Sequence, residues 1–293
     1  MTVLVIRKPT NLEQHGEVVK SQVESGGLAE THMERLQKAH DEHYLCFEKV
    51  RKALRTHNIP SIEIKRGDMR PAGNFSAVIS VGGDGTLLSA SHAIEGKTPI
   101  IGIRSSGSSV GFLCAGGLNE VDEIVAAYAN DKLSFRKRAR IKARIRKMED
   151  QSEIVTFPVL NDFLYTSANP AATTRYKVFF DGLVETQKSS GFWISTATGS
   201  TAAISAAGGY QMNPDDQNLQ FVVRELYQTD QPDPKIQKSI FDGETKTLEI
   251  ENHCANGILA LDGERGVIRL KYGDHISFLK GNSIKVAELS HKS

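Results

Sequence analysis

Val81-Gly82-Gly83-Asp84-Gly85-Thr86 decides how this chain is read. The apolar run 77–81 before it (Ala-Val-Ile-Ser-Val) reads as a short buried strand, and 87–93 after it (Leu-Leu-Ser-Ala-Ser-His-Ala) is compatible with a helix. Glycines between a strand and a helix let backbone N–H groups approach a phosphate, and the helix N-terminus adds partial positive charge. Such a turn needs no acid to hold an anion, and an aspartate repels one. Asp84 therefore has a separate task, either partnering a metal or activating a hydroxyl beside the phosphate. The stretch lacks the Gly-Lys-Ser/Thr of a Walker A loop and the Gly-x-Gly-x-x-Gly dinucleotide fingerprint.

On either side of this turn, strand-like and helical runs alternate up to about residue 133. The start of the chain reads as a first strand. Leu36, Ala39, His43, Phe47, Val50 and Leu54 then recur at intervals of three and four, the stripe of an amphipathic helix. The runs 59–64, 77–81 and 99–103 are candidate strands, and Val121, Ile124, Val125 and Tyr128 make another helical stripe. This order predicts an α/β domain over 1–133, doubly wound and Rossmann-like with a parallel sheet, with 281–293 as a candidate return to it.

From about residue 134 the period becomes two. Ile141, Ala143 and Ile145 alternate with Arg140, Lys142, Arg144 and Arg146, and the basic series from Arg136 to Lys147 reads as one solvated strand face. Further strands are expected at 156–160, 176–180, 183–187, 219–223, 247–250 and 267–270. Asp181-Gly182 and Asp262-Gly263 supply hairpin-turn chemistry. A second, mainly antiparallel β domain over 134–280 follows, with a polar connection at 228–234.

Composition narrows the class. The 293 residues suit about two domains. Hydrophobic and charged fractions of 39% and 24%, with a net charge of +1, give no global reason to expect nucleic acid or a membrane surface. Cys46, Cys114 and Cys254 are scattered and lack metal-ligand spacing, which favours free thiols in a reducing compartment. With no signal-peptide pattern at the start, the cytoplasm is the expected location.

Two later stretches carry chemistry. Ser195-Thr196-Ala197-Thr198-Gly199-Ser200-Thr201-Ala202-Ala203 crowds hydroxyls around one glycine. It can present Ser and Thr oxygens to a ribose or phosphate, or simply cap a tightly packed helix. Leu160-Asn161-Asp162-Phe163 sets an amide beside a carboxylate at the end of an apolar run. That pair suits a purine edge and ribose hydroxyls, although taken alone an Asx turn is the commoner use.

Gly-Gly-Asp-Gly-Thr-Leu-Leu, then Asn-Asp, then Thr-x-Thr-Gly-Ser-Thr-Ala, in this order, resembles the NAD kinase family. Leu261-Asp262-Gly263 and Tyr272-Gly273-Asp274 resemble its closing strands, and the resemblance runs from about residue 75 to residue 280. It implies ATP-dependent phosphorylation of the adenosine 2′-hydroxyl of NAD or NADH, with Mg²⁺ accompanying ATP. Asp84 matches the aspartate that takes the hydroxyl proton. Gly82, Gly83, Gly85 and Thr86 match the ATP-phosphate turn; Arg104 departs from the Asn usual at that strand end, and reads as a solvent-facing arginine or as a further candidate for a phosphate. Asn161 and Asp162 match the pair holding the adenosine end, while Thr198, Ser200, Thr201 and Ala202 fall in the block lining the same dinucleotide pocket. A homodimer or higher homo-oligomer is expected.

The departures are also informative. Where the family commonly has Asp-Gly before the Thr-Gly-Ser-Thr block, this chain has Ser189-Ser190-Gly191, and Ala197 and Ala203 replace Pro and Tyr. An acid beside the positively charged oxidised ring is lost, which places Ser190 on the nicotinamide side and resembles the plant NADH-kinase branch. Use of NADH is the expectation. Residues 105–112 (Ser-Ser-Gly-Ser-Ser-Val-Gly-Phe) read as a flexible loop over ATP. Two rival readings are a diacylglycerol- or sphingosine-type lipid kinase, which shares Gly-Gly-Asp-Gly-Thr, and a non-catalytic dinucleotide sensor.

Overall fold

Val3, Leu4, Val5 and Ile6 are all buried in β1 (Val3–Arg7), as a parallel strand covered on both faces must be. The computed structural model describes residues 2–68, 74–94, 96–227 and 234–289. The chain divides into two units, Met1–Arg136 with Ile284–Ser293, and Lys137–Ser283.

In the first unit β1 is followed by α1 (Asn11–Glu24) and α2 (Glu30–Thr56), then β2 (Ser61–Lys65), β3 (Ala77–Gly82), α3 (Asp84–His92), β4 (Ile100–Arg104), the short β5 (Gly116–Gly117) and α4 (Val121–Ala129). The sheet runs β2-β1-β3-β4, every pair parallel. The expected stripe of α2 is buried over His43, Phe47, Val50 and Leu54, packing with Val3, Ile79, Ile101 and Ile124. Its N-terminal half, including Leu36, stays partly exposed. α1 buries no residue at all. Its start is fixed by a capping box, in which Thr10 Oγ1 accepts the Glu13 N–H and the Glu13 carboxylate accepts the Thr10 N–H.

The second unit begins within β6 (Ser134–Arg146) and continues through β7 (Glu153–Val155), β8 (Asp162–Ser167), β9 (Thr174–Phe180), β10 (Leu183–Ser189) and β11 (Gly191–Thr196). A 3₁₀ turn (Thr198–Thr201), α5 (Ala203–Ala206), β12 (Leu219–Arg224), β13 (Lys238–Phe241), β14 (Leu248–Asn252), β15 (Gly257–Leu261), β16 (Gly266–Leu270) and β17 (His275–Glu288) follow. One antiparallel sheet is ordered β13-β12-β11-β8-β15-β16. β10, β9, β14 and the first part of β17 form a second antiparallel set. Phe163, Tyr165, Tyr176, Phe192, Phe221 and Phe278 fill the core between them. The β9–β10 hairpin turns on Asp181 and Gly182 at φ 51° and 77°, the left-handed pair that a two-residue turn requires.

Three expectations need correction. The run 156–160 is not a strand: it meets β6 through an isolated Ile141–Val159 bridge and through Thr156, whose N–H donates to the Ala143 carbonyl, and β7 precedes it. The basic series is not one solvated face, because residues 138–141 are all buried. Arg140 is completely shielded, its Nε donating to the Asn282 carbonyl at 2.7 Å. Alternation holds only where one face of a strand meets water, and here both faces are covered. β2 is shifted to 61–65 and mostly exposed, as befits the edge of its sheet. Most of the polar connection at 228–234 lies outside the described residues.

Candidate functional site

The glycine turn occupies the carboxyl end of β3, where parallel sheets place their ligands. Gly83 is the N-cap of α3 and Asp84 its first helical residue. A Cβ on Gly82 would stand 2.2 Å from Thr86 Oγ1, and one on Gly83 2.6 Å from the Val110 carbonyl, so neither position tolerates a side chain. The Asp84 N–H donates to the Val110 carbonyl at 2.9 Å, and its carboxylate accepts the N–H groups of Phe112 (3.0 Å) and Leu113 (2.9 Å). Thr86 is buried. Arg104, at the end of β4, is exposed and in register with Gly82. The turn thus gathers Gly82, Gly83, Asp84, Gly85, Thr86 and Arg104.

The loop expected to be flexible is anchored from four directions. Besides its bonds to Asp84, Ser105 Oγ lies 2.8 Å from His43 Nδ1, and Glu42 accepts from the Ser106 hydroxyl (2.8 Å) and the Gly107 N–H (3.1 Å). Lys8 Nζ donates to Ser109 Oγ at 3.1 Å. Burial, with Lys8 and Arg7 nearby, pushes the His43 imidazole down to about 4, so it is neutral.

In the second unit, Asn161 and Asp162 enter β8 beside the turn that follows β11. The Asn161 carbonyl accepts the Thr196 N–H at 2.9 Å, the Leu160 carbonyl accepts the Thr196 hydroxyl at 2.5 Å, and Thr196 Oγ1 accepts the Thr198 N–H at 3.1 Å. Gly199 lies flat on this backbone, where a Cβ would come within 2.4 Å of the Asn161 carbonyl oxygen. Ser200 is buried, its Oγ accepting the Met212 N–H at 3.1 Å. Thr201 is exposed and Ala202 half-buried.

Beneath them sits a residue that the sequence offered as half of a turn dipeptide and as part of a closing-strand motif, with no site role. The Asp262 carboxylate is 2% exposed and accepts three successive N–H groups, those of Leu160 (3.2 Å), Asn161 (2.8 Å) and Asp162 (3.1 Å). Arg265 donates to the Asp262 carbonyl. Burial, and then the charge of Asp262, raise the Asp162 carboxyl to about 7 against the pull of Arg265. Near neutrality Asp162 can donate as well as accept.

Among the described residues, Asn161 Oδ1 and Thr198 Oγ1 are buried with no hydrogen-bond partner. Orphaned buried polar atoms cost about 1–3 kcal/mol each, and a polar ligand would relieve the two in these adjacent motifs. Ser190 does not join this group. It precedes β11, whereas Asp162 pairs with Ser195 near the other end, roughly 16 Å along the strand at the usual rise. Its N–H donates to the Arg224 carbonyl and its own carbonyl accepts from Thr166 Oγ1, both at 3.0 Å. Among the described residues no three His, Cys, Asp or Glu are grouped to hold a metal, and no helix is long and apolar enough to cross a membrane.

Residues 10–133 match the family model of the ATP-NAD kinase N-terminal domain. The chain is 28% identical over 247 residues to the "Probable NADH kinase" of Oryza sativa subsp. japonica, covering 75% of this chain and 73% of that one. It is 29% identical over 249 residues to the NADH kinase of Arabidopsis thaliana, covering 78% and 77%. A bifunctional NADP phosphatase/NAD kinase of Methanocaldococcus jannaschii is 35% identical over 171 residues, covering 56% of this chain and 29% of that one. Among solved structures, yeast NADH kinase complexed with NADH aligns with a TM-score of 0.70 over 100% of this chain and 84% of that one. An NAD kinase from Archaeoglobus fulgidus in complex with ATP aligns with a TM-score of 0.67 over 100% and 94%. Both are 17% identical, a likeness that establishes the fold.

Proposed function

Because this chain is a relative of the NAD kinase family, we propose that it transfers the γ-phosphoryl group of ATP to the adenosine 2′-hydroxyl of NADH or NAD, forming NADPH or NADP. The observation that carries the reading is Asp84, a carboxylate at the first position of a helix that opens on a glycine turn. A phosphate site does not need that acid; a phosphoryl transfer to a hydroxyl does.

In this reading the backbone of Gly82–Thr86 seats the donor phosphates and Arg104 contributes charge at the strand end. Asp84 orients the acceptor hydroxyl and takes its proton as the O–P bond forms and ADP leaves. Asn161 Oδ1 and Thr198 Oγ1 gain their missing partners from the polar groups of the dinucleotide, Asp162 donates to or accepts from its adenosine end, and Thr201 and Ala202 line the same pocket. A divalent cation such as Mg²⁺ would neutralise phosphate charge, held chiefly by the phosphates themselves, with Asp84 the acid nearest to them in sequence.

Preference for the reduced dinucleotide is supported by the two plant relatives and by Ser189-Ser190-Gly191, which lacks an acid for the oxidised ring. Three buried free thiols support a reducing, cytoplasmic setting, and a homo-oligomer completes the proposal. The test is NADP(H) formation from ATP with NADH or NAD, alongside phosphorylation of diacylglycerol. Product from a dinucleotide sustains the reading. Phosphorylated lipid alone, or NADH binding without ADP release, replaces it.

A further inference from the structure

Lys8 follows β1 on the same carboxyl edge as the glycine turn, and its N–H donates to the carbonyl of Val81 at 3.1 Å, directly before Gly82. Its side chain reaches Ser109 Oγ, one residue before the Val110 whose carbonyl takes the Asp84 N–H. Lys8 is therefore tied by its backbone to one side of the turn and by its ammonium to the loop on the other.

Two further cations lie on the same edge. Arg7 precedes it, and Arg66, whose N–H donates to the Arg7 carbonyl at 2.8 Å, follows β2 on the same edge. Arg7 has its carboxylate in Glu13. Lys8 is half-buried and, among the described residues, forms no ion pair within 4 Å; its one direct partner is a neutral hydroxyl. The carboxylate it feels is Glu42, already engaged by Ser106 and Gly107. Desolvation and the charge of Arg66 both pull the Lys8 ammonium below its ordinary value. A lysine held at that cost beside another cation is completed by an anion, and a compact ammonium suits a terminal phosphate as a point charge.

We infer that Lys8 is the donor-phosphate cation of this site, exchanging Ser109 Oγ for an oxygen of a linear triphosphate seated on Gly82–Thr86. The identity of the ligand rests on the phosphoryl-transfer reading above; the triphosphate is that of a nucleotide or of inorganic polyphosphate.

The test compares the full-length chain with Lys8→Gln, Lys8→Arg and Ser109→Ala, measuring dissociation constants for ATP, inorganic tripolyphosphate and NADH, and KM for each substrate. Lys8→Gln is expected to weaken ATP and tripolyphosphate about 10–100-fold, the loss of a charge-assisted bond, with NADH binding unchanged. Lys8→Arg recovers most of that loss, and Ser109→Ala binds tripolyphosphate at least as well as the parent. Phosphorylation of NADH by tripolyphosphate assigns the inorganic donor, and by ATP alone the nucleotide. A folded Lys8→Gln with parental triphosphate affinity overturns the inference, as does an equal loss in Ser109→Ala, which traces the effect to the loop. If the parent phosphorylates no dinucleotide, the proposed function fails while tripolyphosphate binding still decides the role of Lys8.

Discussion

Asp262 Oδ1 accepts the backbone N–H of Asn161 at 2.8 Å, a bond between residues 101 positions apart. The same carboxylate holds the N–H groups on either side, so one buried acid fixes the backbone that presents both Asn161 and Asp162. In Asp262→Asn only one oxygen remains and an amide N–H₂ meets a donor. The expected cost is about 1–3 kcal/mol of stability. NADH affinity should fall at least tenfold with ATP affinity intact, as read by thermal melts and titration. Equal losses for both ligands would show a merely global defect.

Thr198→Val should separate binding from stability. Its hydroxyl is buried without a partner among the described residues, so replacing it by a methyl of similar size removes an unsatisfied group. The free protein is expected to melt higher, by a few degrees, while NADH binding weakens. A variant that melts lower would mean the hydroxyl is already satisfied.

Asp84→Asn bears on catalysis and on the loop together. Positioned general-base catalysis is worth about 10²–10⁴-fold, and turnover should drop on that scale. The side chain also holds the Phe112 and Leu113 N–H groups through separate oxygens, and an asparagine can keep only one of those bonds. Faster proteolysis within 105–113 should accompany the loss of turnover. Near-parental turnover would remove Asp84 from the chemistry.

Two buried groups give the units opposite responses to acid. The Asp162 carboxyl is raised from 3.8 to about 7, so its contribution to stability is complete below about 4 and lost as pH rises through 7. His43 is lowered from 6.5 to about 4, so its contribution is present above 6.5 and lost as pH falls toward 4. At about 1.4 kcal/mol per pKa unit, the Asp162 shift is worth about 4 kcal/mol and the His43 shift about 3 kcal/mol. Between pH 7 and pH 4 the second unit should gain stability from Asp162, against a smaller loss from the half-buried His275 imidazole, while the first unit loses it, and melting should broaden or split. Asp162→Asn should flatten the response of the second unit, and a variant with unchanged pH dependence would refute the assignment.

Gly199→Ala should damage the second group of residues without touching the first. The added methyl would meet the Asn161 carbonyl at 2.4 Å, forcing the turn away from β8. NADH affinity is expected to fall more than tenfold while tripolyphosphate binding holds, in calorimetric titrations of each.

The glycine turn was legible because its chemistry is local: glycines, an acid and a helix start lie within six residues. The α/β order and the change of period were legible for the same reason, since one-sided burial writes itself into spacing. α1 was not, because a helix that buries nothing has no apolar stripe to read. Arg140 misled because alternation reports exposure only where one face of a strand is wet. Asp262 looked like a turn residue, and its φ of 46° shows that it is one. Its second role depends on a partner a hundred residues away, which no local pattern encodes.

The return of β17 has a consequence for how the protein is made. Val286 lies in register beside Ile100 as a parallel partner of β4, and Ala287 joins the core of the first unit. A ribosome therefore finishes all of residues 137–283 before the first unit receives its last strand. Through that interval the nascent β4 has only the two-residue β5 beside Ile103 and Arg104, and the Ile100 end of that edge stays open to wrong partners. Cutting the gene after codon 283 would make the wait permanent, leaving aggregation at the N-terminal unit as the cost of a C-terminal deletion.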